Sequence, residues 1–164
     1  MADLPIWAER PEQTAAILNP AILAAVTGWC ARRYENECGS PLPWELAYLV
    51  APLALHRATR EAMPATPRTH FSAWVNEHAG VLAGYASRAR SFAPYVREGL
   101  RHGIRVGLLE IYAEGLISAT IPKTARPVRE TEQADIVRVA GTVGVWFARA
   151  GVPANVYIQL GVKP

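Results

Sequence analysis

Between Pro94 and Ile121 the hydrophobic pattern of the chain changes period. Tyr95, Val96, Leu100, Ile104 and Val106 recur near helical spacing, while Arg97, Arg101 and Arg105, four residues apart, stack on another face. After Gly107 come two β-prone runs, Leu108 to Tyr112 and Leu116 to Ile121, around the turn pair Glu114-Gly115, and Pro122 closes the second run. The pattern predicts a helix with an apolar back and a cationic front, with Pro94 at its first helical position, running directly into a β-hairpin. That order of elements is the outline of a winged helix.

The rest of the chain reads as helices. Residues 1–18 form an N-terminal arm, packed by Trp7, with one or two helical turns after Pro11. Asn19-Pro20 supplies an N-cap followed by a proline at the first helical position, and Ile22, Leu23, Val26, Trp29, Cys30 and Tyr34 continue an apolar stripe that Gly39 should end. Trp44, Leu46, Tyr48, Leu49, Val50, Leu53 and Leu55 predict a central core helix running to Met63-Pro64, kinked near Tyr48 to Ala51 by Pro52. Two short helices should follow, one capped by Thr69 through Phe71 and Trp74, the other carrying Val81, Leu82 and Tyr85. Beyond the proline-bearing, cationic connection from Lys123 to Arg129, Thr131 opens a last long helix, with Ile136, Val139, Val143 and Phe147 on one side, and Gly151 ends it. Pro153 starts a final short turn. The fold class is mainly α with one small β-hairpin, a winged-helix-like single domain over residues 19–164. Its winged-helix-like segment occupies about residues 69–122 and its C-terminal helix about 131–150.

Composition narrows the partners. At 164 residues the chain has enough length for one good core. It is 51% hydrophobic and only 19% charged, a balance that an obligate partner surface explains. The net charge is +3, and because Lys123 and Lys163 are the only lysines, 15 of the 17 cations are arginine. Arginine suits planar, multi-donor contacts to carboxylates and phosphates. Cys30 and Cys38 have no matching pair for a zinc site and are expected to be reduced. No signal peptide is apparent, and no apolar run reaches the roughly eighteen residues of a membrane span. A cytoplasmic protein without membrane contact is expected.

The search for chemistry returns no motif. His56, His70, His78 and His102 form no HExxH, metal-spaced pair or Cys/His dyad, and there is no phosphate-binding glycine loop or nucleophile elbow. His70 and His78 could converge with Glu77, as could any three polar residues of a small domain, and no enzyme, cofactor or metal is expected. The one charged constellation with a clear geometry is Arg97, Arg101 and Arg105, with Arg88 and Arg90 before them and Glu98 partly offsetting the field. It reads first as a solvated face or a dock for an acidic partner, and only after these as phosphate contacts of a DNA-binding winged helix. Gly141, Gly144 and Ala148 are small enough to let another element approach the last helix. Gly141, Gly144 and Trp146, with Tyr157 and Leu160 of the closing turn, are therefore the second candidate interface.

Several segments together resemble the middle component of ABC three-component systems, the group that includes Lamassu-type antiphage defence. They are Asn19-Pro20-Ala21 opening a helix to Tyr34-Glu35, the run from Tyr48 to His56, Gly144-Val145-Trp146-Phe147-Ala148, and the closing Val156 to Val162. The resemblance covers nearly the whole chain. It implies a small non-catalytic adaptor between an SMC-like ABC ATPase subunit and an effector subunit, often a nuclease, with DNA reached through the complex. The alternative is a winged-helix DNA-binding regulator or DNA-sensing subunit.

Overall fold

The computed structural model describes residues 4–122 and 130–163, apart from the side chain of Trp7. The arm-packing role of Trp7 and the connection from Lys123 to Arg129 lie outside the described residues. A single 3-10 turn, Trp7–Glu9, leads into eight α-helices and three short strands among the described residues. They are α1 (Glu12–Ile17), α2 (Pro20–Cys38), β1 (Leu42–Pro43), α3 (Trp44–Ala54), α4 (Arg57–Ala62), α5 (Phe71–Glu77) and α6 (Tyr85–Arg105). Then follow β2 (Leu109–Ile111), β3 (Leu116–Ala119), α7 (Glu132–Ala150) and α8 (Pro153–Gln159).

Helix α2 is the axis of the molecule. It starts where Asn19 accepts a hydrogen bond from the Ala21 N–H at 2.8 Å and stops at Gly39, whose φ of 76° lies in the left-handed region. Glycines bring its neighbours close on two sides. On α7, a Cβ at Gly144 would lie 2.4 Å from the Cys30 carbonyl oxygen of α2. On α6, a Cβ at Gly99 would lie 2.6 Å from the Leu23 Cβ. Between these approaches Leu23, Val26, Cys30 and Ala31 are fully buried, and α3 supplies Leu46, Leu49, Val50 and Leu53 to the same core. By length and composition Glu12–Cys38 also meets the requirement for a membrane span, against expectation. Leu23, Val26, Cys30 and Ala31 of α2 are nonetheless taken up by the protein's own core, while Ile22 and Trp29 are partly exposed.

The expected hairpin forms, with Leu109 opposite Ala119 and Ile111 opposite Ile117. Its four-residue connection, Tyr112 to Gly115, ends with Gly115 at φ 75°, and the Gly115 N–H returns to the Tyr112 carbonyl at 2.9 Å. The hairpin is not free. The two-residue strand β1 pairs with β3, giving the antiparallel order β1-β3-β2. So short a strand leaves no periodicity to read.

Two predicted helices divide differently. The central core helix does not run kinked to Met63: α3 ends at Ala54, and α4 starts at Arg57 after an extended His56. Pro52 withholds the N–H that the Tyr48 carbonyl would need. Buried Arg60 stabilises the break by donating to the carbonyls of Ala54 and Leu55 at 3.2 and 2.7 Å while pairing with Glu132 of α7. Conversely, Pro94 does not begin a helix. It lies inside α6, which starts at Tyr85 after the left-handed Gly84; of the second predicted short helix only Tyr85 is helical, and Val81 and Leu82 lie in turns before it. An interior proline costs about 3 kcal/mol. Burying one large side chain recovers about 1.5–3 kcal/mol, and Tyr85 is fully buried with its hydroxyl donating to the Leu49 carbonyl at 2.7 Å.

Two outcomes follow from this packing. Gly144→Ala should lower the unfolding free energy in urea by about 2–3 kcal/mol, because backbone lies where the methyl would go. Gly80→Ala, with nothing within 4 Å, should stay within about 0.5 kcal/mol. Equal losses would mean that α2 and α7 are not in close contact. At the break, desolvation first, then Arg88 and Arg60, hold the His56 imidazolium below its ordinary pKa of 6.5. The unfolded chain therefore binds a proton there more readily than the folded one, so this contribution is present above pH 6.5 and lost as pH falls. The urea midpoint should drop between pH 7.5 and 5.5, and His56→Gln should reduce the drop. An unchanged drop would remove His56 from this account.

Candidate functional site

Most of the second predicted interface is internal, although Tyr157 also lines an outer groove. Gly141 and Gly144 are buried, Gly141 against the Arg33 side chain and Gly144 against α2. Trp146 is 1% exposed, stacks on Phe71 at 5.4 Å between ring centres, lies 5.2 Å from Trp74, and donates its indole N–H to the Thr69 carbonyl. Leu160 is buried, and half-buried Tyr157 donates its hydroxyl to the Glu45 carbonyl at 2.9 Å. These residues join the last two helices to the chain's own core. Small and aromatic residues at helical spacing serve an internal helix contact as readily as an external one, and periodicity does not distinguish the two.

The arginine group divides. Arg90, Arg101 and Arg105 are exposed on α6, and Arg97 on the same face is half-buried. Arg88 turns inward instead. Its Nε donates to the Pro52 carbonyl at 3.4 Å, its guanidinium lies 5.6 Å from the Tyr85 ring centre, and its Nη2 has no partner among the described residues. Burial lowers its pKa from the ordinary arginine value. The apolar back of the helix is also shorter than predicted. Ile104 and Val106 are exposed, and the buried positions in the second half of the helix are Val96, Gly99, Leu100 and Gly103.

No catalytic grouping assembles among the described residues. His78 lies against Trp74 at 5.1 Å and its Nδ1 is 2.9 Å from the Trp74 carbonyl oxygen, while His70 and Glu77 are exposed on α5's flanks. No group of three metal-binding side chains occurs there either. Burial pushes the Cys30 thiol well above its ordinary range, so it is an inert core residue.

Two outer grooves with largely apolar linings lie among the described residues; sequence reading missed the first and named only Tyr157 of the second. The first, of about 370 Å³, is lined by Ile17 of α1, Ile22 and Val26 of α2, Leu55, and Ile136 and Val137 of α7. The second, of about 570 Å³, is lined by Trp44, Pro153, Tyr157, Ile158 and Val162, with Glu45 and Lys163 at its rim. They share no residue. Leu55 follows the C-terminal end of α3 and Trp44 begins it, so the grooves sit at opposite ends of that helix, about 16 Å apart at 1.5 Å per residue. Ile17 is 54% exposed, Trp44 49% and Ile158 76%. Trp44, expected in the core with Trp29, Trp74 and Trp146, instead covers Gly115 at the hairpin turn and meets Tyr48 edge-on at 5.8 Å.

The N-terminal arm adds further polar contacts. Arg10 donates to both carboxylate oxygens of Glu98 on α6, at 2.7 and 2.9 Å, and its Nε donates to the Pro5 carbonyl. A lone arginine in a proline-containing arm carries no sequence signal for such a contact.

A family model described as ABC-three component (ABC-3C) system Middle Component 3 matches residues 7–164. No curated protein and no solved structure matches the chain.

Proposed function

The chain belongs to the ABC-three component system Middle Component 3 family, and from that premise we propose that it is a cytoplasmic, non-catalytic adaptor with two docking surfaces. One surface holds an SMC-like ABC ATPase subunit and the other an effector subunit, a nuclease, in a defence complex of the Lamassu type. The observation that carries this reading is the pair of exposed apolar grooves at opposite ends of α3. A component that acts in the middle of three needs two separate surfaces, and each groove has the apolar centre and polar rim of a protein interface. Arg60 and Glu132 edge the first groove, Glu45 and Lys163 the second. The core between the grooves is continuous through α2, α3 and α7, so binding at one end bears on a rigid body and not on a flexible linker.

The reading is tested by co-expressing the chain with the ATPase and the effector encoded beside it. Ile158→Asp should lower affinity for one partner roughly 30-fold, equivalent to about 2 kcal/mol at an interface centre, and leave the other bound. Ile17→Asp should do the reverse. Both side chains are more than half exposed, so neither change disturbs the core. Wild-type recovery of both partners with both variants would end the two-groove assignment.

A further inference from the structure

The groove at the start of α3 is walled by aromatic rings. Trp44 and Tyr157 line it with Pro153 and Ile158, and Tyr48 backs Trp44 edge-on at 5.8 Å. Both lining rings are held in place before any partner arrives. The Trp44 main-chain N–H donates to the Gly115 carbonyl at 2.9 Å, and its indole lies so close over the hairpin turn that a Cβ at Gly115 would come 2.7 Å from the indole Cδ1. The Tyr157 hydroxyl is tied to the Glu45 carbonyl at 2.9 Å. Pre-positioned aromatic surface binds at little cost in side-chain entropy.

Two polar groups of this groove are uncommitted. Trp44 is 49% exposed, and its indole N–H has no acceptor among the described residues. The Glu45 carboxylate is half-buried, and no cation lies within ion-pair distance of it among those residues. Lys163 lines the groove without pairing with it. The neighbouring elements do not supply a cation either. Helix α3 carries no other charge and α8 none, the hairpin beneath Trp44 adds the acids Glu110 and Glu114, and Arg149 at the end of α7 is taken by Glu37. The surroundings of the groove are therefore acidic, with three carboxylates against one lysine.

We infer, on the reading of this groove as a docking surface, that its occupant is a proline-rich segment of the partner in the polyproline II conformation, with a basic residue beside the prolines. A polyproline II chain makes no internal hydrogen bonds, so its carbonyls are free to accept, whereas those of a docked helix are already spent within the helix. Trp44 supplies the matching donor. Proline also brings no N–H to be stranded against Trp44, Pro153 and Ile158, where an unpaired donor would be costly. Proline rings pack on the faces of fixed aromatic side chains, and the stiffness of the segment lowers the entropy lost on docking. Glu45 then takes the basic residue in a charge-assisted contact.

The test is a proton–nitrogen correlation NMR titration of the full chain with a synthetic peptide of one arginine followed by eight prolines. The Trp44 indole signal, identified by its loss in Trp44→Phe, should move to saturation. Those of Trp74 and Trp146, which already donate inside the core, should stay and report an intact fold in every variant. Trp44→Phe keeps a ring but removes the donor, and should weaken binding about fivefold. Glu45→Gln should remove most of the preference for this peptide over one that begins with glutamate. No movement at millimolar peptide, equal movement with eight alanines in place of the prolines, or full affinity in Trp44→Phe would overturn the inference. So would a Trp44 signal that moves with protein concentration alone, which assigns the groove to a second copy of the chain. An arginine preference that survives Glu45→Gln would remove the basic residue from the account. Because neither ATPase nor effector is present, a negative titration beside intact recovery of both partners strikes this inference alone, and a positive one beside failure of Ile158→Asp to release either partner strikes the adaptor assignment.

Discussion

The rest of the structure depends on how closely α6 and α7 approach α2. Gly99 and Gly103 on one side and Gly144 on the other remove the Cβ atoms that would hold the helices apart. The backbone of α2 therefore becomes part of both interfaces. Such contact leaves little tolerance for a change in volume. It also fixes the direction of α6, and with it the arginine face and the hairpin that follows. Gly103 is as important here as the others, since a Cβ there would lie 2.6 Å from the Leu109 side chain of β2. The start of the sheet is thereby set by the end of the helix.

A second constraint is the break after α3. The end of α3 leaves its last carbonyls without helical donors in an almost wholly buried helix, and unpartnered buried carbonyls are costly. Arg60 answers two of them and ties the break to the first turn of α7 through Glu132. Because the chain turns there, Leu55 comes to the surface beside Ile17, Ile22 and Ile136, and one apolar groove forms. At the other end of α3, the pairing of β1 with β3 places Trp44 over the hairpin turn, where it opens the second groove with α8. The same helix thus separates two surfaces that a middle component of a three-part system can use together.

Much of this was legible in the sequence, for local reasons. The cap at Asn19, the stop at Gly39, the glycine turn at Gly115 and the Thr131 cap of α7 are each decided within a few residues, and the hairpin register follows from its turn. What was not legible depended on contacts distant in sequence. Pro94 has the signature of a helix start, yet burial of Tyr85 carries α6 through it. Gly144 and Trp146 have the composition of an interface, and they form one inside the chain. Arg88 has the charge of a surface contact but lies across the helix from Arg90, Arg97 and Arg101 and caps the end of α3. Arg10 reaches Glu98 across 88 residues of sequence, and no local pattern reports such a pair.

The central claim is that the last long helix belongs to the core while the grooves at the two ends of α3 face partners. Hydrogen–deuterium exchange, comparing the chain alone with the chain in complex with its ATPase and effector, tests it most directly. The account predicts slow exchange in α7 from Val139 to Phe147 in both states, with new protection confined to α1 and to the Trp44 and α8 region. Fast exchange of α7 in the free chain that becomes slow only in the complex would contradict it, and would return Gly144 and Trp146 to the partner interface.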